Sequence, residues 1–252
     1  MGPRTAKRKR ASDSQPLPSK SSRDADKHKV FTSWATDCGV QIDGVQPAQL
    51  PGRGLGLVVT KSIKSGERIL FVPEKAMFKP QTTRTQAKPL RNASPQAQLA
   101  ASILAACKKP DSQYPVWKAT WPTMQDFQQS MPVFWPAGLQ KLLPASVLQP
   151  LQRQKDDYAK DWRAVGNLCE ESGWTEQDFK YYWMIVNSRS FHWKPANGRA
   201  GSMVMCPFID YMNHGPTGTS CNVSQTQTGY EVVAERDYGK RCILYLLLTL
   251  HA

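Results

Sequence analysis

Three short segments carry the residues in this chain that could handle a ligand. The first is Cys206-Pro-Phe-Ile-Asp-Tyr-Met-Asn-His214, where an apolar run from Met203 to Ile209 hands over to an acid, a phenol, an amide and an imidazole. Polar side chains gathered where a strand ends are a usual place for a site, although Asn-His after a strand read alone is an ordinary turn. The second, Gly52-Arg-Gly-Leu-Gly56, offers main chain with few Cβ atoms, against which a ligand can lie closely. By itself it is also a glycine-rich turn. It is no dinucleotide fingerprint, because that motif follows a strand and opens a helix. The third, Asn187-Ser-Arg-Ser-Phe191, holds an arginine able to pair bidentately with a carboxylate. Taken alone, Arg189 is equally a solvent-facing cation favoured at a helix C-terminus.

The elements around these segments follow from periodicity. Gly56 to Ile63 and Arg68 to Pro73 read as two strands joined at Lys64-Ser-Gly66 in a hairpin, with Pro73 closing the second. Gln96 to Cys107 reads as a helix with Leu99, Ile103 and Leu104 on one face. Pro110 to Pro136, with Trp117, Trp121 and Trp135, reads as a packed irregular loop, and Leu148 to Cys169 as a second helix. Thr175-Glu-Gln-Asp178 opens a third, whose Phe179, Tyr182, Trp183 and Val186 share a face and which delivers Ser188 to Phe191. Strands resume at Met203 to Ile209 and Tyr230 to Ala234. No internal repeat is visible.

The charge is uneven. Of a net +13 in 252 residues, residues 1–30 carry nine Lys or Arg against three Asp, a net +6. This Ser/Pro/Lys-rich leader is expected to be disordered, being too polar to bury a core. Its Lys7-Arg-Lys-Arg10 patch reads as a nuclear import signal, a weak nucleic-acid tether, or a solvated tail. Localisation is therefore expected to be nuclear or cytoplasmic, with the nucleus favoured. No secretory signal is read at Met1 to Lys29. The longest apolar run, Ile243 to Leu250, falls well short of a bilayer, so no membrane partner is expected. Six cysteines lie scattered without a C-x-x-C pair, so no metal is expected and reduced thiols are the default.

In their order and separation, these motifs resemble the SET-domain protein methyltransferases. The branch is that of the Rubisco large-subunit and ribosomal-protein lysine methyltransferases, which carry a long helical insert. The match comprises Gly52-Arg-Gly-Leu-Gly56, Lys61 to Glu67, Val72-Pro73, Ser188 to Phe191, Pro207 to His214, Tyr230 to Val233 and Ala234 to Asp237. The resemblance implies an α+β fold of short β-sheets in a knot-like arrangement, split by a mainly helical insertion. Its parts would be a leader (1–29), a first SET portion (30–76), the insert (77–175), a second SET portion (176–238) and a tail (239–252).

It further implies an S-adenosyl-L-methionine-dependent protein-lysine N-methyltransferase acting on a ribosomal protein, a histone or another protein. Arg53, Gly54 and Leu55 would meet the cofactor through main-chain atoms, Arg189 its carboxylate, and Asn213 and His214 its amino and adenine ends. Asp210 and Tyr230 would lie on the substrate side. No residue is assigned a catalytic role, because the tyrosine such proteins carry near the end of this motif falls at Leu248, and Tyr245 comes about three residues early. The tail therefore reads as aberrant or truncated, with weakened cofactor binding and turnover. The alternative is a non-catalytic interaction module that keeps the fold and grips a partner with the insert.

Overall fold

A computed structural model describes residues 20–50, 54–80, 89–195, 201–215 and 221–246. Helix α1 (Lys20–Asp37) leads into strands β1 (Gln41–Ile42), β2 (Val45–Leu50), β3 (Gly54–Val59) and β4 (Arg68–Pro73). A helical block follows: α2 (Pro95–Lys108), α3 (Pro115–Lys118), α4 (Met124–Ser130), α5 (Ala137–Gln140) and α6 (Ala145–Glu171). Helix α7 (Glu176–Arg189) returns the chain to β5 (Ser190–Trp193), β6 (Ser202–Met205), β7 (Asn213–His214), β8 (Asn222–Gln225), β9 (Gly229–Val233) and β10 (Ile243–Leu246). The fold is α+β, as the sequence implied.

The strands form three small sheets, ordered β1-β4-β9-β8, β2-β3-β10-β7 and β5-β6. Among the described strands β7 and β10 pair in parallel, and the other ladders are antiparallel. Strands β3 and β4 are thus not a hairpin, because they belong to different sheets. The reason lies in residues 60–67, whose polar backbone groups bond to a distant segment instead of to a facing strand. Ile63 and Tyr238 exchange both backbone bonds (3.0 and 2.8 Å), and Gly66 N–H donates to the Ala234 carbonyl at 2.8 Å. A compact local turn signal here marks a crossover.

Helix α7 begins where its capping box lies. Thr175 accepts from the Asp178 N–H at 3.0 Å while the Asp178 carboxylate accepts from the Thr175 N–H at 3.1 Å. Its Phe179, Tyr182, Trp183 and Val186 are buried as predicted. Ser94 caps α2, and Leu99, Ile103 and Leu104 are fully buried. Helix α6 is longer than read, Ala145–Glu171. It holds the block together through Asp161, whose carboxylate accepts from Ser94 N–H (2.9 Å), Ser94 Oγ–H (2.7 Å) and Trp183 Nε1–H (2.8 Å).

Three further readings change. Helix α1 reaches back to Lys20, inside the expected leader, and buries Phe31 and Ala35 completely. The stretch 110–136 is not an irregular loop: it carries α3, α4 and a 3-10 turn, with Trp117 and Trp121 buried. The strand read from Met203 to Ile209 stops at Met205. Pro207 has no N–H for a ladder, and Phe208 turns the chain at φ 75° into a 3-10 turn, Ile209–Tyr211. The segment 239–252, read as aberrant, supplies β10 within its described part, where Leu244 and Leu246 are buried.

Candidate functional site

Four of the positions singled out from the sequence, Leu55, Arg189, Asp210 and Asn213, are joined by two hydrogen-bonded links. Arg189, the last residue of α7, donates from Nη1 to the Asp210 carbonyl at 2.6 Å, and the same nitrogen lies 3.7 Å from Asp210 Oδ2. Three residues on, Asn213 donates from Nδ2 to the Leu55 carbonyl at 3.0 Å. The end of α7, the turn after β6 and the start of β3 therefore share one edge. Arg53 lies outside the described residues, as does Leu248. Gly54 takes φ 71°, a conformation suited to glycine, and among the described residues none beyond its chain neighbours lies within 4 Å of where its Cβ would stand.

Burial sets the character of each group. The Asp210 carboxylate is 1 % exposed, and its Oδ2 accepts from Trp117 Nε1–H at 3.1 Å. Burial pushes its pKa up, opposed first by the Arg189 guanidinium, then by the Trp117 donor and nearby backbone N–H groups. The Arg189 side chain is 19 % exposed, yet its Nε–H is buried with no hydrogen-bond partner among the described residues. His214 faces outward on β7, where partial desolvation lowers its pKa and keeps the imidazole neutral over more of the physiological range.

Tyr230 sits on β9, in the other large sheet, and donates its hydroxyl to the His192 carbonyl. Its ring meets Phe191 at 5.6 Å and Trp193 at 5.7 Å, making an aromatic wall just past Arg189 in the chain. Phe191 and Trp193 were not singled out as site residues, and neither was Trp117. For Phe191 the signal was its place two residues after Arg189. For Trp117, whose partner is 93 residues away, no local pattern pointed to the contact.

No protein-family model matches the chain. Over 234 residues it is 23 % identical to the actin-histidine N-methyltransferase of Danio rerio, a match covering 85 % of this chain and 38 % of that one. The SET domain of LSMT bound to lysine and AdoHcy superimposes with a TM-score of 0.69 at 17 % identity, over 90 % of this chain and 54 % of the other. Rubisco LSMT bound to AdoMet superimposes at 0.68 and 18 % identity, over 89 % and 53 %. The fold is that of a SET domain. The chain spans about two fifths of the curated relative's length and about half of the solved chains. Within this SET fold the helical block lies between two strand-bearing portions, so Asp210, Arg189 and Asn213 meet where the second portion returns to the first.

Proposed function

We propose that this chain is an S-adenosyl-L-methionine-dependent protein-lysine N-methyltransferase, with turnover reduced by leucine at position 248. One observation carries the cofactor reading. The guanidinium of Arg189 is held through Nη1 on Asp210 while its buried Nε–H lacks a partner among the described residues, near the edge where the Leu55 main chain and Asn213 meet. A buried donor without an acceptor is unfavourable by about 1–3 kcal/mol, and a ligand carboxylate would satisfy it. Arg189 would hold the methionine carboxylate, Asn213 and His214 the amino and adenine ends, and Gly54 and Leu55 the flank, as would Arg53. The bound donor supplies a sulfonium methyl group.

The protein's own contribution is to align and dry the acceptor. A target amine attacks only when neutral, and the Phe191 and Tyr230 rings, the latter packed on the fully buried Trp193, would desolvate an ammonium and lower its pKa. Rings also pack well along a lysine's methylene stem. An imidazole target would instead need an acceptor for its second ring N–H. The lysine reading follows the solved SET domain bound to lysine, while the curated relative bears the name of a histidine methyltransferase. Asp210, buried against Arg189, would act on the target side only through the groups it holds.

Calorimetry with AdoHcy, followed by transfer of labelled methyl groups to ribosomal, histone and whole-cell protein, tests the reading. Measurable binding and slow formation of methyl-lysine are expected. Methylhistidine as the product would overturn the lysine assignment, and a folded chain that binds no AdoHcy would be an interaction module. We also propose nuclear entry through Lys7 to Arg10 and at most weak nucleic-acid binding by the leader. A reporter fusion with and without residues 1–19, and salt-dependent binding, check both.

A further inference from the structure

Trp117 belongs to the helical insert, yet its polar atom is aimed at the methyl-donor edge. The indole is fully buried. Its ring is fixed from several sides, by Phe31 at 6.2 Å and Trp34 at 5.9 Å on α1 and by Trp121 at 5.6 Å. Trp121 in turn meets Tyr182 at 6.3 Å on α7, the helix that ends at Arg189. A ring so enclosed has little freedom to choose where its N–H points. It points at Asp210 Oδ2, the same oxygen that faces Arg189 Nη1 across 3.7 Å.

That separation is too long for a direct hydrogen bond. The carboxylate is therefore not fixed by the arginine, whose short bond goes to the Asp210 carbonyl. Trp117 Nε1–H is the side-chain donor that fixes the carboxylate's orientation, and the carboxylate fixes the field around the guanidinium. The chain of contacts runs from insert to carboxylate to arginine.

We propose that Trp117 is a positioning residue for Arg189, so that the helical insert, acting through Asp210, sets how tightly the site grips a ligand carboxylate. This inference rests on the methyl-donor reading above. Its selectivity is its signature: only ligands bearing the amino-acid carboxylate would sense the loss of the indole N–H.

The test measures wild-type and Trp117→Phe affinities for AdoHcy and for 5′-methylthioadenosine, which keeps the nucleoside and sulfur but lacks the carboxylate. Trp117→Phe should weaken AdoHcy about tenfold, in the range of a lost charge-assisted hydrogen bond, and leave 5′-methylthioadenosine unchanged. Because phenylalanine is smaller, the same comparison is made with β-(3-benzothienyl)alanine at 117, which keeps the bicyclic shape and removes only the donor. Unchanged AdoHcy affinity in the benzothienyl protein, or equal weakening of both ligands, overturns the inference. A wild-type chain that binds neither ligand overturns the methyl-donor reading itself, and this inference with it.

Discussion

Replacing Gly56 with alanine tests the geometry of the site most directly. A Cβ there would stand 2.6 Å from Leu50 Cδ1 and 2.9 Å from Asn213 Nδ2, both closer than real Cβ atoms approach. The leucine methyl is the far end of a flexible side chain and can turn aside. The asparagine cannot move as cheaply, because that nitrogen donates to the Leu55 carbonyl at 3.0 Å. Displacing it by a few tenths of an ångström sacrifices a hydrogen bond of about 1 kcal/mol. Crowding adds about 1–3 kcal/mol, and the stiffer unfolded chain returns about 0.4–1 kcal/mol. A net loss of about 2 kcal/mol follows from those ranges.

Gly54→Ala serves as the control. Its φ of 71° penalises a Cβ by about 1–2 kcal/mol through the backbone alone, and among the described residues no neighbour outside the adjoining chain lies within 4 Å to be displaced. Urea denaturation should therefore show similar losses for the two variants, and AdoHcy calorimetry should show a loss of ligand affinity for Gly56→Ala. In an Asn213→Ala background the cost of Gly56→Ala should fall by about 1 kcal/mol, the coupling expected of directly contacting groups. If Gly56→Ala matches wild type in midpoint and in affinity, or the cycle shows no coupling, the reasoning about Asn213 and Leu55 is wrong.

Asp161→Ala should destabilise the chain by about 3 kcal/mol or more, since it strands three donors in the interior. Urea midpoints check this, and Ser94→Ala made on top of it should add less than it does alone. Stability should also fall as pH rises from about 9 to about 11. Burial and the Asp178 charge push the Cys169 thiol from its ordinary 9.0 up to about 11, so the unfolded chain loses this proton first and gains stability relative to the native state. The share from this thiol is on the order of 1–2 kcal/mol, and a Cys169→Ala variant should show a correspondingly flatter alkaline decline.

Helices were legible in the sequence wherever a cap and a period coincided. The Thr175–Asp178 box placed the start of α7, and the Leu99, Ile103 and Leu104 spacing placed α2. Strand partners were not legible, because pairing is chosen by residues far along the chain. Lys64-Ser-Gly66 reads as a hairpin turn until the Ala234 carbonyl and Tyr238 take up its backbone bonds. The site was readable only as an ordered set of segments, each of which has an ordinary explanation when taken singly. Trp117 was unreadable for the same reason as the strand partners: its meaning rests on Asp210, brought near only by the return of α7 and β6. The early Tyr245 drew attention to a departure in the tail, while the alternating burial of Ile243 to Leu246 shows that this strand still takes its place.

The β2-β3-β10-β7 sheet explains why one asparagine matters so much. Strand β10 stands between β3 and β7, so Leu55 and Asn213 are not neighbours in the ladder. Pairing between β3 and β10 runs through Val58↔Ile243 and Leu57↔Leu244 and stops there. One further step would set Tyr245 against Gly56, but Tyr245 pairs with Asn213 on β7 and its carbonyl accepts from the Cys221 N–H at 2.7 Å. Among the described residues the β3–β10 register ends before this row, short of the Leu55 carbonyl. Buried backbone acceptors need a donor, and the Asn213 side chain reaches across to supply it. The amide then occupies the space a Cβ at position 56 would fill, which is the reason for glycine there. A sheet that closes its edge with a side chain here ties the Leu55 main chain to the segment that also carries Asp210, the partner of Arg189 at the end of α7.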